Sequence, residues 1–420
     1  MKLAVVLMTM NRIDYLDLVI KSFREKAGME FDLFVVDNGS SDRTRDYLAE
    51  DGKIRYYSNQ KNMGISIGCN VGMDMAILSG DYDRIIYSGN DLILSTPDGI
   101  KSMYEASIKL PDYILVANQT GVAKILYKEA VTKEGVNLWT VDYFGGPAIF
   151  PKDFWIKFKH QENSPLALGQ DTECSIWAEL NGIKITYLPD VVFDHYLGYG
   201  GQYEDKPEYL EQKNKNLISW FDDLNSEEKT DVFWQTQVDK YPEYFEHYRK
   251  TWTSKAIKLD EILGSGDVLL AGGGLGSMVR LISKIGATKQ RKYWTCDRSN
   301  VAVVNNLLLN KIPDNGHLIP FYSDIQKKIQ CNDGLFDSVV LNEVVEHLTN
   351  PFAALCECKR VLKPGGEIII TTPGVITEEN GRHIKFWEVN ELARILGYGF
   401  DVNYKELYGR VILVRGVKRG

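Results

Sequence analysis

Short apolar runs alternate with amphipathic stretches along most of the chain. In the first half the runs cover 3–8, 31–36, 54–57, 84–87 and 113–117. In the second half they cover 268–271, 293–296, 317–321, 338–341, 367–371, 400–407 and 410–415. Runs this short, bounded by Gly, Asn, Asp and Ser and separated by helical periodicity, predict strands joined by crossover helices, and so an α/β fold with a mostly parallel sheet in each half. Residues 204–262 break the pattern: they are rich in Glu, Asp, Lys, Tyr and Trp, contain Pro207 and Pro242, and carry no strand signal. They predict amphipathic helices that close one domain and lead to the next. The expected layout is a first domain over 1–220, a helical linker over 221–257 and a second domain over 258–420. The halves share a layout and not residues, so no internal repeat is present.

Composition narrows this picture without redirecting it. The 420 residues are 44% hydrophobic and 25% charged, which is ordinary for a globular protein and excludes disordered, collagen-like and coiled-coil classes. No stretch approaches the ~18–20 consecutive apolar residues of a membrane span. The first apolar run meets Asn11 and Arg12 without a small-residue cleavage site, so it reads as a buried strand and not as a secretory leader. The six cysteines, at 69, 174, 296, 331, 356 and 358, match neither a zinc-knuckle nor a CxxC spacing. Reduced thiols and a cytoplasmic location are expected. Residues 251–420 hold 22 Lys+Arg against 18 Asp+Glu, which leaves 27 against 39 for residues 1–250. An acidic front half and scattered basic residues behind it point away from a nucleic-acid partner.

Candidate chemistry in the front half gathers where strands end. Asp37-Asn38-Gly39-Ser40-Ser41 follows the second run. A carboxylate there, followed by small polar residues, suits hydrogen bonding to a nucleotide base or ribose, because ligands of open α/β sheets bind outside the strands' carboxyl ends. The same residues also fit a plain turn with a helix cap. Thr9-Met10-Asn11-Arg12 closes the first run, Asn62, Gly64, Gly68, Asn70 and Gly72 follow the third, and Gly89-Asn90-Asp91 follows the fourth.

This ordered series resembles family 2 glycosyltransferases of the GT-A fold over about residues 1–220. The resemblance implies a nucleotide-sugar donor and a glycan acceptor, with Thr9, Asn11, Arg12, Asp37, Asn62, Gly64, Asn70, Asn90 and Asp91 at the donor. Asp91 matches the last acid of the family's DxD motif and His195 a histidine that completes its divalent metal site. Gly89 stands where an acid or Asn is usual. Asp171, in Gly169-Gln170-Asp171-Thr172-Glu173, matches the base that deprotonates the acceptor hydroxyl in inverting relatives; it also suits a helix N-cap. Gly145-Gly146-Pro147-Ala148 matches a loop near the acceptor, or is simply a turn.

In the back half, Leu269-Leu270-Ala271-Gly272-Gly273-Gly274-Leu275-Gly276 joins a strand to a helix, and its glycines let backbone approach a ligand closely. Asp297 ends the next run, Ser323-Asp324 the one after, and the series FDSVVLNEVVEHL from Phe336 to Leu348 precedes Arg360-Val361-Leu362-Lys363-Pro364-Gly365-Gly366. Together these resemble class I S-adenosylmethionine-dependent methyltransferases over about residues 255–420, with a Rossmann-like fold. The resemblance implies that Gly272, Gly274 and Gly276 cradle the methionine moiety, Asp297 holds ribose, Asp324 holds adenine and Asn342 borders the cofactor. Leu270 stands where relatives often carry an acid.

Glu343, Glu346 and His347 lie on a turn entering a helix, where E-x-x-E-H brings three side chains near one point, and His383 is a candidate fourth ligand. Carboxylates with imidazole suit Mg²⁺ or Mn²⁺, and the set resembles metal-dependent O-methyltransferases. His347 as a general base without metal, and a purely structural role, are the alternatives. The whole reads as a bifunctional enzyme of surface-glycan or polysaccharide biosynthesis that transfers a sugar with inversion and O-methylates a sugar hydroxyl. The rivals are a front domain that binds glycan without catalysis, and a methyltransferase acting on protein, RNA or a quinone.

Overall fold

A computed structural model describes residues 2–120, 129–140, 145–158, 174–175, 177–178, 180–195, 235, 238, 241–309, 318–374 and 383–420. The chain divides into two compact units, Met1–Phe221 and Asp222–Gly420.

The first unit is built on one mixed sheet. Its strands are β1 Leu3–Thr9, β2 Asp32–Asp37, β3 Ile54–Ser58, β4 Arg84–Gly89, β5 Leu92–Leu94, β6 Tyr113–Thr120, β7 Glu129–Lys133, β8 Val136–Thr140, β9 Ala148–Pro151 and β10 Lys184–His195. Their order is β3-β2-β1-β4-β9-β6-β10-β8-β7, with β5 paired to β10. β1 to β4 are parallel, and β9 runs against both β4 and β6. Leu3 to Leu7 are all buried because helices cover both faces of β1. Helix Ile13–Lys26 buries Leu16, Val19, Ile20 and Phe23, an i, i+3, i+4, i+7 stripe set on that sheet. Helix Ile65–Ser79 is buried on nearly every side. It comes close because Gly72 has no side chain: a Cβ there would meet Val6 Cγ1 at 2.5 Å and Val36 Cγ2 at 3.1 Å.

In the second unit the strands are β11 Gly266–Ala271, β12 Arg291–Asp297, β13 Leu318–Tyr322, β14 Phe336–Asn342, β15 Leu362–Pro373, β16 Phe400–Tyr408 and β17 Val411–Lys418. The sheet order is β13-β12-β11-β14-β15-β17-β16. β11 to β15 are parallel, and β17 is antiparallel to β15 and β16. The order reverses between β11 and β14, which opens a ligand crevice at their carboxyl ends. Helix Pro351–Val361 starts where Asn350 Oδ1 accepts from Ala353 N at 3.1 Å with Pro351 in the first turn. Residues 241–257, expected as part of a connector, fall in helix Tyr241–Ile262. Trp252, Ala256 and Leu259 of that helix pack with Val268, Val279 and Val340 in the second core. No helix among the described residues is long and apolar enough to cross a membrane.

Candidate functional site

In the first unit the ends of β1, β2 and β4 are tied into one cradle. Asn11 and Arg12 both hold left-handed backbone, φ 59° and 65°. Such conformations cost a non-glycine residue roughly 1–2 kcal/mol and persist where surrounding contacts impose them. The turn aims Asn11 at the loop after β2: Asn11 Oδ1 accepts from Ser41 N at 2.8 Å, and Asn11 N donates to Ser40 Oγ at 2.6 Å. Asn90 Nδ2 donates to Thr9 Oγ1 at 2.8 Å, which closes the gap between β4 and β1. Asp37 is buried and accepts from Ser40 N at 2.9 Å. Burial pushes its carboxyl up, and hydrogen bonds from Ser40 and Ser58 pull the other way.

Asn38, which the sequence marks only as part of a turn motif, is the hub. It is buried, and its Nδ2 donates to Asn62 Oδ1 at 2.9 Å and Gly64 O at 3.1 Å. Its Oδ1 accepts from Asn59 Nδ2 and Met63 N, each at 3.0 Å. Asn62 and Gly64 are therefore held by Asn38 at the start of helix Ile65–Ser79. Asn70 is buried one turn further along that helix. The available signal was the position of Asn38 directly after the carboxylate at a strand end.

Asp91 sits between two partners: its Oδ2 lies 3.8 Å from the Arg12 guanidinium and 3.9 Å from His195 Nε2. β5 and β10 bring this about, because Leu92 is in register with His195. His195 Nδ1 is buried without a hydrogen-bond partner. A carboxylate and an imidazole aimed at each other fit two ligands of a divalent cation. Gly89 leaves them space, since a Cβ there would stand 2.9 Å from Asp91 Oδ1. Asp171 lies outside the described residues. Gly145 is held by Tyr187, whose hydroxyl donates to its carbonyl at 3.0 Å.

The second unit gathers its candidates in the crevice between β11 and β14. Gly272, Gly274 and Gly276 have φ of 74°, 51° and 79°, and a Cβ on Gly272 would stand 2.7 Å from Val344 Cγ2. Asp297 is buried at the end of β12, where it accepts from Gly274 N and Ser299 N at 3.0 Å each. Burial pushes its carboxyl up. Asp324 follows β13 and accepts from Gln326 N at 3.0 Å. Asn342 ends β14 and accepts from Thr371 Oγ1 at 2.9 Å. A glycine turn facing a buried acid on the neighbouring strand fits the ribose and methionine portions of S-adenosylmethionine.

Glu346, His347 and His383 converge, with one ligand atom from each lying within 4.8 Å of the others. Glu346 is buried, and one oxygen accepts from Thr372 Oγ1 at 3.0 Å while Oε1 has no hydrogen-bond partner. His383 Nδ1 is also buried and unpartnered. The backbone holds the group together: Ile384 N donates to Glu346 O at 2.7 Å, and the two imidazole centroids are 4.9 Å apart. Burial and the nearby Glu343 push the Glu346 carboxyl up to about 8, and burial pushes His383 down. Glu343 is not part of this trio. Its Oε1 accepts from Lys255 Nζ at 2.7 Å, an ion pair that the sequence reading missed.

Comparison with known proteins separates the two units by family. Residues 4–142 match the family described as glycosyl transferase family 2, and residues 269–370 match the one described as methyltransferase domain. The chain joins a family 2 glycosyltransferase domain to a methyltransferase domain. It therefore carries transferase domains of both kinds, the second of the S-adenosylmethionine-dependent class. A ubiquinone/menaquinone biosynthesis C-methyltransferase of Cupriavidus taiwanensis is 33% identical over 122 residues, 29% of this chain and 49% of the relative. Its counterpart from Bordetella avium is 26% identical over 125 residues, 29% of this chain and 46% of the relative. The chain spans about half the length of these curated relatives. A solved methyltransferase of Aquifex aeolicus, S-adenosylmethionine-dependent, is 22% identical at a TM-score of 0.34, covering 40% of this chain and 89% of that one.

Proposed function

We propose that the glycosyltransferase domain moves a sugar from a nucleotide-sugar to a glycan acceptor with inversion, and that the methyltransferase domain methylates a sugar hydroxyl oxygen. The two domains on one chain support successive steps on one surface glycan or polysaccharide. In the first domain, Thr9, Asn11, Asp37, Asn62 and Asn90 bind and orient the donor nucleotide. Asp91 and His195 would hold a divalent cation, which would supply charge stabilisation for the leaving group, and Asp171 takes the proton of the acceptor hydroxyl.

In the second domain, Gly272, Gly274, Gly276, Asp297, Asp324 and Asn342 bind S-adenosylmethionine, which supplies an electrophilic methyl group when bound. The observation that carries oxygen as the acceptor atom is the Glu346–His347–His383 trio, with buried, unpartnered Oε1 and Nδ1 atoms. Two imidazoles and a carboxylate suit a divalent transition ion or Mg²⁺ that binds a substrate oxygen and lowers its pKa. The curated relatives carry the name C-methyltransferase, so the methylated atom is the discriminating readout. The test incubates the full chain with labelled S-adenosylmethionine, a panel of nucleotide-sugars and glycan acceptors. Asp171→Asn is expected to abolish sugar transfer and leave methylation of a pre-glycosylated acceptor. Glu346→Gln is expected to do the reverse. Methyl groups found on carbon would overturn the O-methyl reading.

A further inference from the structure

The methyltransferase domain contains an ion pair that the steps above do not use. Lys255, on helix Tyr241–Ile262, has a side chain only 6% exposed and places its ammonium 2.7 Å from Glu343 Oε1. The same ammonium lies 4.6 Å from the centre of the Trp252 ring, which holds it from another side. Glu343 sits at φ 56°, and its backbone N–H donates to Thr371 O at 3.0 Å. Its main chain is therefore fixed, and only the direction of its side chain is left to choose. Glu343 acts electrostatically on both Glu346 and His383, so its carboxylate is a neighbour of the trio without belonging to it. For a shielded carboxylate next to a cation site, the strong alternatives are the ammonium and the metal.

We propose that Lys255 is a positioning residue that holds Glu343 off the Glu346–His347–His383 trio, so that a bound cation takes three protein ligands and keeps positions open for substrate oxygens. The proposal rests on the metal reading above. A catalytic metal site needs such open positions, whereas a saturated one is structural. Without the ammonium, Glu343 becomes the nearest uncompensated anion and turns into the site. The cation is then held more tightly and presents fewer exchangeable positions.

The test is Mn²⁺ binding to the full chain, followed by calorimetry and by the relaxation of water protons on the bound ion, without S-adenosylmethionine or acceptor. Lys255→Met is expected to bind Mn²⁺ at least about tenfold more tightly, as loss of one nearby positive charge requires, with fewer exchanging waters. Lys255→Arg is expected to restore both values. The charge-neutral double variant Lys255→Met/Glu343→Gln is expected to return the affinity to within about threefold of wild type; it replaces the ion pair with uncharged groups, so it reads the site without leaving a buried charge unpaired. Unchanged or weaker Mn²⁺ binding in Lys255→Met would overturn the role of Lys255. So would a tenfold loss in the double variant, which would make Glu343 a ligand in the native protein. Wild-type protein that binds no Mn²⁺ would overturn the metal reading itself, and this proposal with it.

Discussion

Replacing Asn38 by Ala tests whether the strand-end cradle of the glycosyltransferase domain is a built network or a chance set of loops. Asn38 makes four side-chain hydrogen bonds, to Asn62, Gly64, Asn59 and Met63, three of them buried. Each contributes ~1 kcal/mol net, so the variant is expected to lose about 4 kcal/mol. For a unit of roughly 200 residues, 1 kcal/mol moves the melting temperature by about 2–4 °C, which places the shift at about 10 °C. The assay is thermal melting of the full chain, following the transition of the first unit, with amide hydrogen exchange at Met63 as a local readout. Met63 is expected to exchange at least about tenfold faster. Nucleotide-sugar affinity falls in parallel, because Asn62 and Gly64 lose their anchor. Asn38→Asp keeps the two accepting roles and loses both donors, so it is expected to recover only part of the stability. A melting shift below about 3 °C with unchanged Met63 exchange would refute the reasoning.

Gly72→Ala puts a methyl 2.5 Å from Val6 Cγ1 and 3.1 Å from Val36 Cγ2; a cost of about 1–3 kcal/mol is expected in the same melting experiment, and an unchanged transition would contradict the packing. Gly272→Ala strains a residue at φ 74° and crowds Val344, so calorimetry is expected to show S-adenosylmethionine binding weakened by about tenfold or more, and an unchanged affinity would remove the glycine turn from the cofactor site. Burial raises the Asp297 carboxyl above its ordinary value of 3.8, so the folded state holds that proton more tightly than the unfolded chain. The stability this contributes is full below the unfolded value and is lost as pH rises through the folded one. Asp297→Asn removes the effect, so its stability relative to wild type is expected to rise as pH increases above the ordinary carboxylate value of 3.8, while cofactor binding falls; a flat or falling difference would contradict the direction of the shift.

The sequence made the parallel parts of both sheets legible. β1, β2, β11 and β14 are short apolar runs buried on both faces over most of their length, and burial of that kind leaves a continuous hydrophobic trace. Less legible were β5, β7, β8, β9 and β10. β7 is mostly exposed and polar, β5 has three residues, and β9 and β10 lie inside the sheet between strands that are not their neighbours in sequence, so their pairing depends on distant chain. β10 nonetheless delivers His195 to Asp91, so that half of the candidate metal site rested on family resemblance alone. The convergence of Glu346 with His347 was readable from their adjacency, and His383, thirty-six positions away, lies beside them. The partner of Glu343 was not readable, because Lys255 lies 88 residues away on a helix that looked like a connector. Asn38 was hidden for a different reason: in an Asp-Asn-Gly turn, asparagine is already explained by turn chemistry, and its four tertiary hydrogen bonds leave no local trace.

The central claim is that one chain carries out a sugar transfer and an oxygen methylation on the same product. The most direct measurement is a single incubation of the full chain with nucleotide-sugars, glycan acceptor and S-adenosylmethionine, in which mass spectrometry locates each added group. The expected product carries the transferred sugar with the methyl group on one of its oxygens, and methylation stops when the nucleotide-sugar is left out. A methyl group on carbon, or methylation of the acceptor at full rate without any sugar transfer, would contradict the account.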